Sequence, residues 1–345
     1  MIYKINIIWL FCLSVLWNVS LALSRTQVKI IYETDMESDI DDAATLALLH
    51  ALADNGECEI LAVMHNTSDD YGVGVIDAIN TYYGRPDLPI GAYQDNDAPS
   101  AHFGGQTRYA ESIARDHRFS KDIIKRADVP NAVKLYNRIL SKQPNRSVVI
   151  VSVGWVMNLK NLILDDQGKK LARDKIKTLV WMGGHWAPPD IDHRASMNLA
   201  GNQIIPAAYE AGKYVVDNWP TEIVFSGVEI GSMIFTGEKL KNTSSLNPVR
   251  QAFLHYKQKH KQKNWSHPSW DQTAALFAVR GKEEFWTLNT RGSPQMFLKP
   301  NVKERYLRWH TRWNTATDSP HAYLKIAADI KVIAKTIEDL MTKPP

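Results

Sequence analysis

Six carboxylates fall within ten residues of this chain: Glu33, Asp35, Glu37, Asp39, Asp41 and Asp42. Crowded carboxylates resist ionisation unless a cation neutralises them. Oxygen-only donors suit a hard ion, Ca2+ or Mg2+. Asp41 and Asp42 could instead be first-turn acids of a helix, where they satisfy free N–H groups and oppose the dipole. That use leaves Glu33, Asp35, Glu37 and Asp39 without a reason. An EF-hand loop counted from Asp35 would need Gly and Glu where Ile40 and Leu46 stand. No Gly-rich run ending in Lys-Ser/Thr offers a phosphate-binding loop.

The flanks show what must position these acids. The apolar run 30–32 reads as a buried strand, and Leu46, Leu48, Leu49 and Leu52 follow on a helix. The cluster therefore sits at a strand-to-helix turn, where open α/β sheets place their ligands. The alternation continues along the chain. Strands are expected over 60–64, 89–92, 147–153, 176–182 and 222–225. Helices are expected over 73–83, 109–116, 131–140, 158–164, 206–212, 248–259 and 271–279, with loops over 94–107 and from Gly183 to about Asn198. The run 147–153 is apolar and β-branched, the pattern of a strand buried on both faces. This predicts an α/β fold: a mostly parallel, open twisted sheet with helices on both faces. The tail adds possible short strands near Phe285 and over 302–309, and a helix over 322–341.

The chain has 345 residues and a net charge of +4, enough for a substantial core and without a nucleic-acid footprint. The basic run 257–263 reads as a solvated helix face. Lys4, an apolar stretch over 5–23 and the small residues Ser20, Ala22 and Ser24 have the layout of a secretory signal peptide. The alternative is an uncleaved membrane anchor. Cleavage would leave one domain over 25–345, secreted or lumenal, with no membrane contact. Cys58 would be its one cysteine, a small strand-entry residue without a disulfide partner. Asn145, Asn242 and Asn264 lie in glycosylation sequons, and so does Asn66.

The segment Glu33-Thr-Asp35-Met-Glu37-Ser-Asp39-Ile-Asp41-Asp42-Ala resembles the N-terminal aspartate motif of the inosine–uridine nucleoside hydrolases. Val151-Ser-Val153-Gly154, Trp181-Met-Gly-Gly184, Ser196-Met-Asn198 and Ser269-Trp270-Asp271-Gln resemble later segments of that family, in the same order. The resemblance implies a nucleoside hydrolase-like fold and Ca2+-dependent cleavage of the N-glycosidic bond of ribonucleosides, giving ribose and a free base. It implies Asp35, Asp39, Asp42, Asp271 and the Val153 carbonyl as metal ligands. Asp41, Asn66 and Asn198 would bind the substrate, which argues against a glycan on Asn66. Family members are often homodimers or homotetramers.

Two departures from the pattern stand out. Counting back from Asp41-Asp42, the family's second Asp, its base and ligand, falls on Glu37, and an extra acid, Asp39, follows. Asp39 is the expected base and Glu37 the alternative. Trp270 stands where well-studied branches have a His that protonates the leaving base. Trp270 would stack on the nucleobase, and the acid would be His185, His193, His267 or water. Trp155 and Trp186 are further candidates for the base pocket, and Ser196 replaces a frequent Glu. A non-catalytic secreted binder of nucleoside or ribose is the rival reading. A hydrolase of phosphates or amides is disfavoured because only His193, near Asp190 and Asp192, suggests a separate His-containing metal cluster.

Overall fold

The computed structural model describes residues 26–37, 39–95, 109–187, 198–199, 206–301 and 306–345. The expected signal segment, most of the 94–107 loop, and Asp190, Asp192, His193 and Ser196 lie outside the described residues.

The chain opens with β1 (Val28–Thr34), α1 (Asp41–Asp54), β2 (Cys58–His65), α2 (Gly72–Tyr82) and β3 (Ile90–Ala92). It continues through α3 (Tyr109–Ala114), α4 (Ala132–Leu140), β4 (Val148–Ser152), α5 (Met157–Leu164), α6 (Asp166–Lys175), β5 (Ile176–Met182) and α7 (Pro206–Asn218). Next come β6 (Glu222–Ser226), α8 (Val228–Gly231), β7 (Phe235–Thr236), α9 (Pro248–Lys259), β8 (His267–Pro268) and α10 (Trp270–Arg280). The tail holds β9 (Trp286–Asn289), β10 (Ser293–Asn301), β11 (Tyr306–Asn314), β12 (Ala322–Ile326) and α11 (Ile330–Met341).

Eight strands form the central sheet, in the order β3-β2-β1-β4-β5-β6-β12-β9. Every pairing in it is parallel except β12 with β9. The expected α/β architecture is therefore present. Successive side chains point to opposite faces of a strand, and both faces here are covered. Ile30 and Tyr32 of β1 join one apolar layer, while Ile31 joins the other. Likewise Val149 and Val151 face one side, and Val148 and Ile150 the other. This two-sided burial is why β4 reads as an unbroken apolar run.

The strand order changes direction at β1. The chain first builds outward through β2 and β3, then returns to place β4 on the opposite side of β1. A crevice opens at such a switch point, beyond the carboxyl ends of the two central strands. Both ends lead into residues singled out by sequence: β1 into Asp35, and β4 into Val153 and Gly154.

Two expectations for the tail and middle are corrected. Residues 322–326 are not the start of a helix but the strand β12, inserted between β6 and β9. Helix α11 begins only where the Asp329 side chain accepts the Lys331 N–H. Helix α6 was not expected, because its highly charged residues bury only Gly168 and Ala172. Its start is fixed by Asp165, which accepts the Gly168 N–H at 2.8 Å. Cys58 is buried at the head of β2, with its thiol directed at the Leu49 carbonyl. No helix among the described residues is long and apolar enough to cross a membrane.

His50 and His321 are buried in the neutral form, as is His65. Burial pushes His50 down to about 4, against its hydrogen bond to Asn80. Burial likewise lowers His321 to about 4, and its Nδ1 accepts the Ile223 N–H. Between their usual value of 6.5 and about 4, the unfolded chain binds more protons than the folded one. The histidine contribution to stability should therefore fall as pH drops through that window, by up to ~1.4 kcal/mol per pH unit per histidine, opposite in sign to that of the buried acids with raised values. Urea unfolding of wild type and His50→Gln at stepped pH checks this, and the variant should gain in stability relative to wild type as pH drops through the window.

Candidate metal centre

Helix α1 is buried over every residue from Asp41 to Leu52. A helix that is apolar on all sides belongs inside a protein, and its first turn carries Asp41 and Asp42 inside with it. Their exposures are 3% and 2%. Helix α1 packs against α10, whose first turn carries Asp271. Oxygen atoms of Asp41, Asp42 and Asp271 lie within 4.8 Å of one another. The Asp271 N–H faces Asp41 Oδ2 at 3.4 Å across 230 residues of sequence. Thr34, the last residue of β1, donates its hydroxyl to Asp42 Oδ1, and Tyr32 donates to the Asp42 carbonyl at 3.1 Å.

These acids are not at ease without a counter-charge. Burial, followed by the neighbouring carboxylates, pushes Asp41, Asp42 and Asp271 well above the usual carboxylate range. Asp35 is raised to about 7, first by burial and then by the charges of Asp39 and Glu37, even though it hydrogen-bonds to Asp42. The donor set is oxygen only and partly pre-formed, which fits a hard divalent cation.

Asp35 is held in place by what it touches. A Cβ built on Gly154 would lie 2.6 Å from Asp35 Oδ1 and 2.7 Å from its Cβ. Glycine beyond β4 is thus what lets Asp35 fold back under the cluster. The Val153 N–H donates to the Glu33 carbonyl at 2.9 Å, locking the ends of β1 and β4 together. Val153 turns its carbonyl to Asn198, whose Nδ2 donates to it and, at 3.2 Å, to the Met182 carbonyl. Asn198 adopts a positive φ of 61°, a conformation Asn tolerates better than most residues.

Asp39 stands apart from this group. Its side chain is 42% exposed and pairs with His267, with Nε2 2.8 Å from Oδ1. Desolvation would raise Asp39, but the charge and hydrogen bond of His267, together with the Ile40 N–H and the charge of His260, hold the carboxylate below its usual range. Burial would lower His267, and Asp39 reverses that. Glu37 is fully buried, with its carbonyl accepting the Ala110 N–H at 3.3 Å. Asn66 is also fully buried. Its Nδ2 donates to Glu33 at 3.2 Å and its Oδ1 has no partner. No glycan can be carried there, whereas Asn145, Asn242 and Asn264 are exposed.

Burial pushes Glu33 up to about 8, against hydrogen bonds from Tyr136, Asn66 and Asn158. Trp270 is half-buried and gives its indole N–H to Ser232 Oγ at 2.9 Å and the Val228 carbonyl at 3.1 Å. Only its ring is left to meet a ligand. Trp155 and Trp186 are core residues, 4% and 3% exposed. His185 is buried, with its backbone N–H bonded to Thr311. Tyr109 was not foreseen. Its phenol is buried without a partner, within the fields of Asp42, Asp39 and Asp41. It comes from the short helix α3, and no motif marks it.

No protein-family model and no curated protein sequence matches the chain. Solved structures do, and they share its fold, which is that of nucleoside hydrolases. A plant nucleoside hydrolase aligns at a TM-score of 0.67 and 15% identity, over 92% of this chain and 99% of its own. The inosine–uridine preferring nucleoside hydrolase of Bacillus anthracis aligns at a TM-score of 0.62 and 14% identity, over 92% and 99%. The type III effector XopQ, in complex with adenosine diphosphate ribose, aligns at a TM-score of 0.61 and 12% identity, over 93% and 95%.

Gly154→Ala should push Asp35 out of the cluster while leaving the sheet intact. Calorimetric titration with Ca2+ should show affinity reduced roughly ten- to a hundredfold, as for the loss of a supporting contact. An unchanged affinity would remove Asp35 from the centre.

Proposed function

We propose that this chain hydrolyses the N-glycosidic bond of ribonucleosides, releasing ribose and a free base, and that it does so with Ca2+. One observation carries the reading. Asp41, Asp42 and Asp271 converge within 4.8 Å at the switch point of a nucleoside hydrolase fold. Asp35, Asp42, Asp271 and the Val153 carbonyl would hold the ion. When bound, it supplies Lewis-acid polarisation of a water and of the ribose diol.

The chain's own residues do the rest. Asp41 and Asn198 orient the ribose hydroxyls, and Asn66 lies behind them with an unfilled acceptor. The base role falls to Asp35 in preference to Asp39 or Glu37. Asp35 is half-buried beside the cluster and raised to about 7, close to the pH at which it would work. Asp39 is turned to His267 and weakened as a base by that pairing. As the C–N bond breaks and water oxygen bonds to C1′, the sugar develops positive charge, which the surrounding carboxylates stabilise. The Trp270 ring offers a stacking face for the base. Export behind a cleaved signal peptide would suit salvage of extracellular nucleosides, and a homodimer or homotetramer is in keeping with the family.

Reducing-sugar release from a panel of nucleosides, with Ca2+ present, tests this. Wild type should release ribose, and Asp35→Asn should lower kcat about 100-fold or more. Asp39→Asn should lower it far less. Activity that survives Asp35→Asn and vanishes in Asp39→Asn would return the base to Asp39. No release from any nucleoside, with ribose or adenosine diphosphate ribose still bound, would favour a non-catalytic binder. The XopQ complex is the specific reason to include that ligand.

A further inference from the structure

We propose that His267, Asp39 and Asp41 form a second cation site, selective for Zn2+ over Ca2+, that shares Asp41 with the oxygen-only centre beside it. The inference goes beyond the hydrolase reading and does not require that nucleosides be the substrate.

The donor atoms are together: one ligand atom from each of the three residues lies within 4.8 Å of the others. His267 Nε2 is 2.8 Å from Asp39 Oδ1, an ion-pair contact between two of the three donors. Tetrahedral metal–ligand bonds of about 2.0–2.2 Å place neighbouring ligand atoms roughly 3.3–3.6 Å from each other. An N···O approach this close lets one ion engage both atoms with a small opening of the pair. The Tyr109 hydroxyl is buried without a partner, within the fields of the same carboxylates.

The imidazole is also held rigidly enough to serve as a ligand. His267 pairs in register with Thr236 in the β7–β8 ladder. Its ring is clamped edge-on by Tyr256 at 5.0 Å and by Trp270 at 5.7 Å. The neighbouring Ser269 hydroxyl is fastened to Thr236 at 2.7 Å. His267 itself is 5% exposed, whereas Asp39 is open enough to give an ion a way in.

Chemistry then separates the two sites. Asp42 and Asp271 offer only oxygen, which suits Ca2+. An imidazole nitrogen with two carboxylates suits a borderline ion such as Zn2+ better than Ca2+. Three protein ligands leave one position of a tetrahedral site open, as in catalytic rather than structural zinc sites. Charge points the same way. One dication leaves most of the negative charge of Asp35, Asp39, Asp41, Asp42 and Asp271 uncompensated, whereas two come close to balancing it.

The test counts metal in the purified full chain. The protein is equilibrated with Ca2+ and Zn2+, freed of loose metal, and analysed by plasma mass spectrometry. Co2+ replaces Zn2+ in parallel samples as a visible-absorption probe of nitrogen ligation. Wild type should retain one Ca2+ and one Zn2+ per chain and show Co2+ bands. His267→Gln and Asp39→Asn should each lose the Zn2+ and the bands and keep the Ca2+. Asp271→Asn should do the reverse, so failure of the oxygen-only centre is distinguishable from failure of this one. Circular dichroism confirms folding of each variant. A wild type that never holds more than one ion overturns the proposal. So do His267→Gln and Asp39→Asn proteins that keep both ions and an unchanged Co2+ spectrum.

Discussion

The structure turns on an electrostatic constraint. Asp41, Asp42 and Asp271 are buried together with Asp35 half-buried beside them, and desolvation raises the cost of charging each one. A fold does not gather such groups for stability, because apolar residues of the same size would do better. The neighbourhood is built to hold them regardless. Thr34 bonds Asp42 from the end of β1, Gly154 makes room for Asp35, and α10 delivers Asp271 to the first turn of α1. Each device keeps an acid in a position where only a cation or a shared proton relieves it.

The sheet explains how acids from distant parts of the sequence can meet. Parallel strands send all their carboxyl ends to one edge, and the reversal of order at β1 opens a crevice there. The strands themselves are held by apolar layers on both faces, so the crevice floor is stiff. Function is then left to side chains in the connecting turns, where substitution does not disturb the core. The same arrangement lets His267 approach from the short β7–β8 ladder on the other side of the acids, giving the cluster two chemically distinct flanks.

Much of this was legible in the sequence. The run at β4, the apolar segment of β1 and the leucines of α1 carry strong local patterns, and six acids between strand and helix announced a charged turn. Roles within that turn were not legible. Spacing counted back from Asp41-Asp42 points to Glu37, with Asp39 an extra acid, and leaves no trace of the close approach of Asp35 to Gly154. The pairing of Asp39 with His267 spans more than two hundred residues and leaves no local signal. Tyr109 is on a six-residue helix without a motif. The misread tail has a local cause. Ala322-Tyr-Leu-Lys-Ile is compatible with either state, and its place between β6 and β9 makes it a strand. Helix α6 is so polar that capping by Asp165 was its clearest sign.

The most direct test of the central claim is a crystal structure of the protein grown with Ca2+, with anomalous scattering used to locate the ion. The account predicts a peak about 2.3–2.6 Å from carboxylate oxygens of Asp42 and Asp271. Asp35 and the Val153 carbonyl should complete the shell. Well-ordered carboxyls without a peak, joined to one another by shared protons, would contradict it.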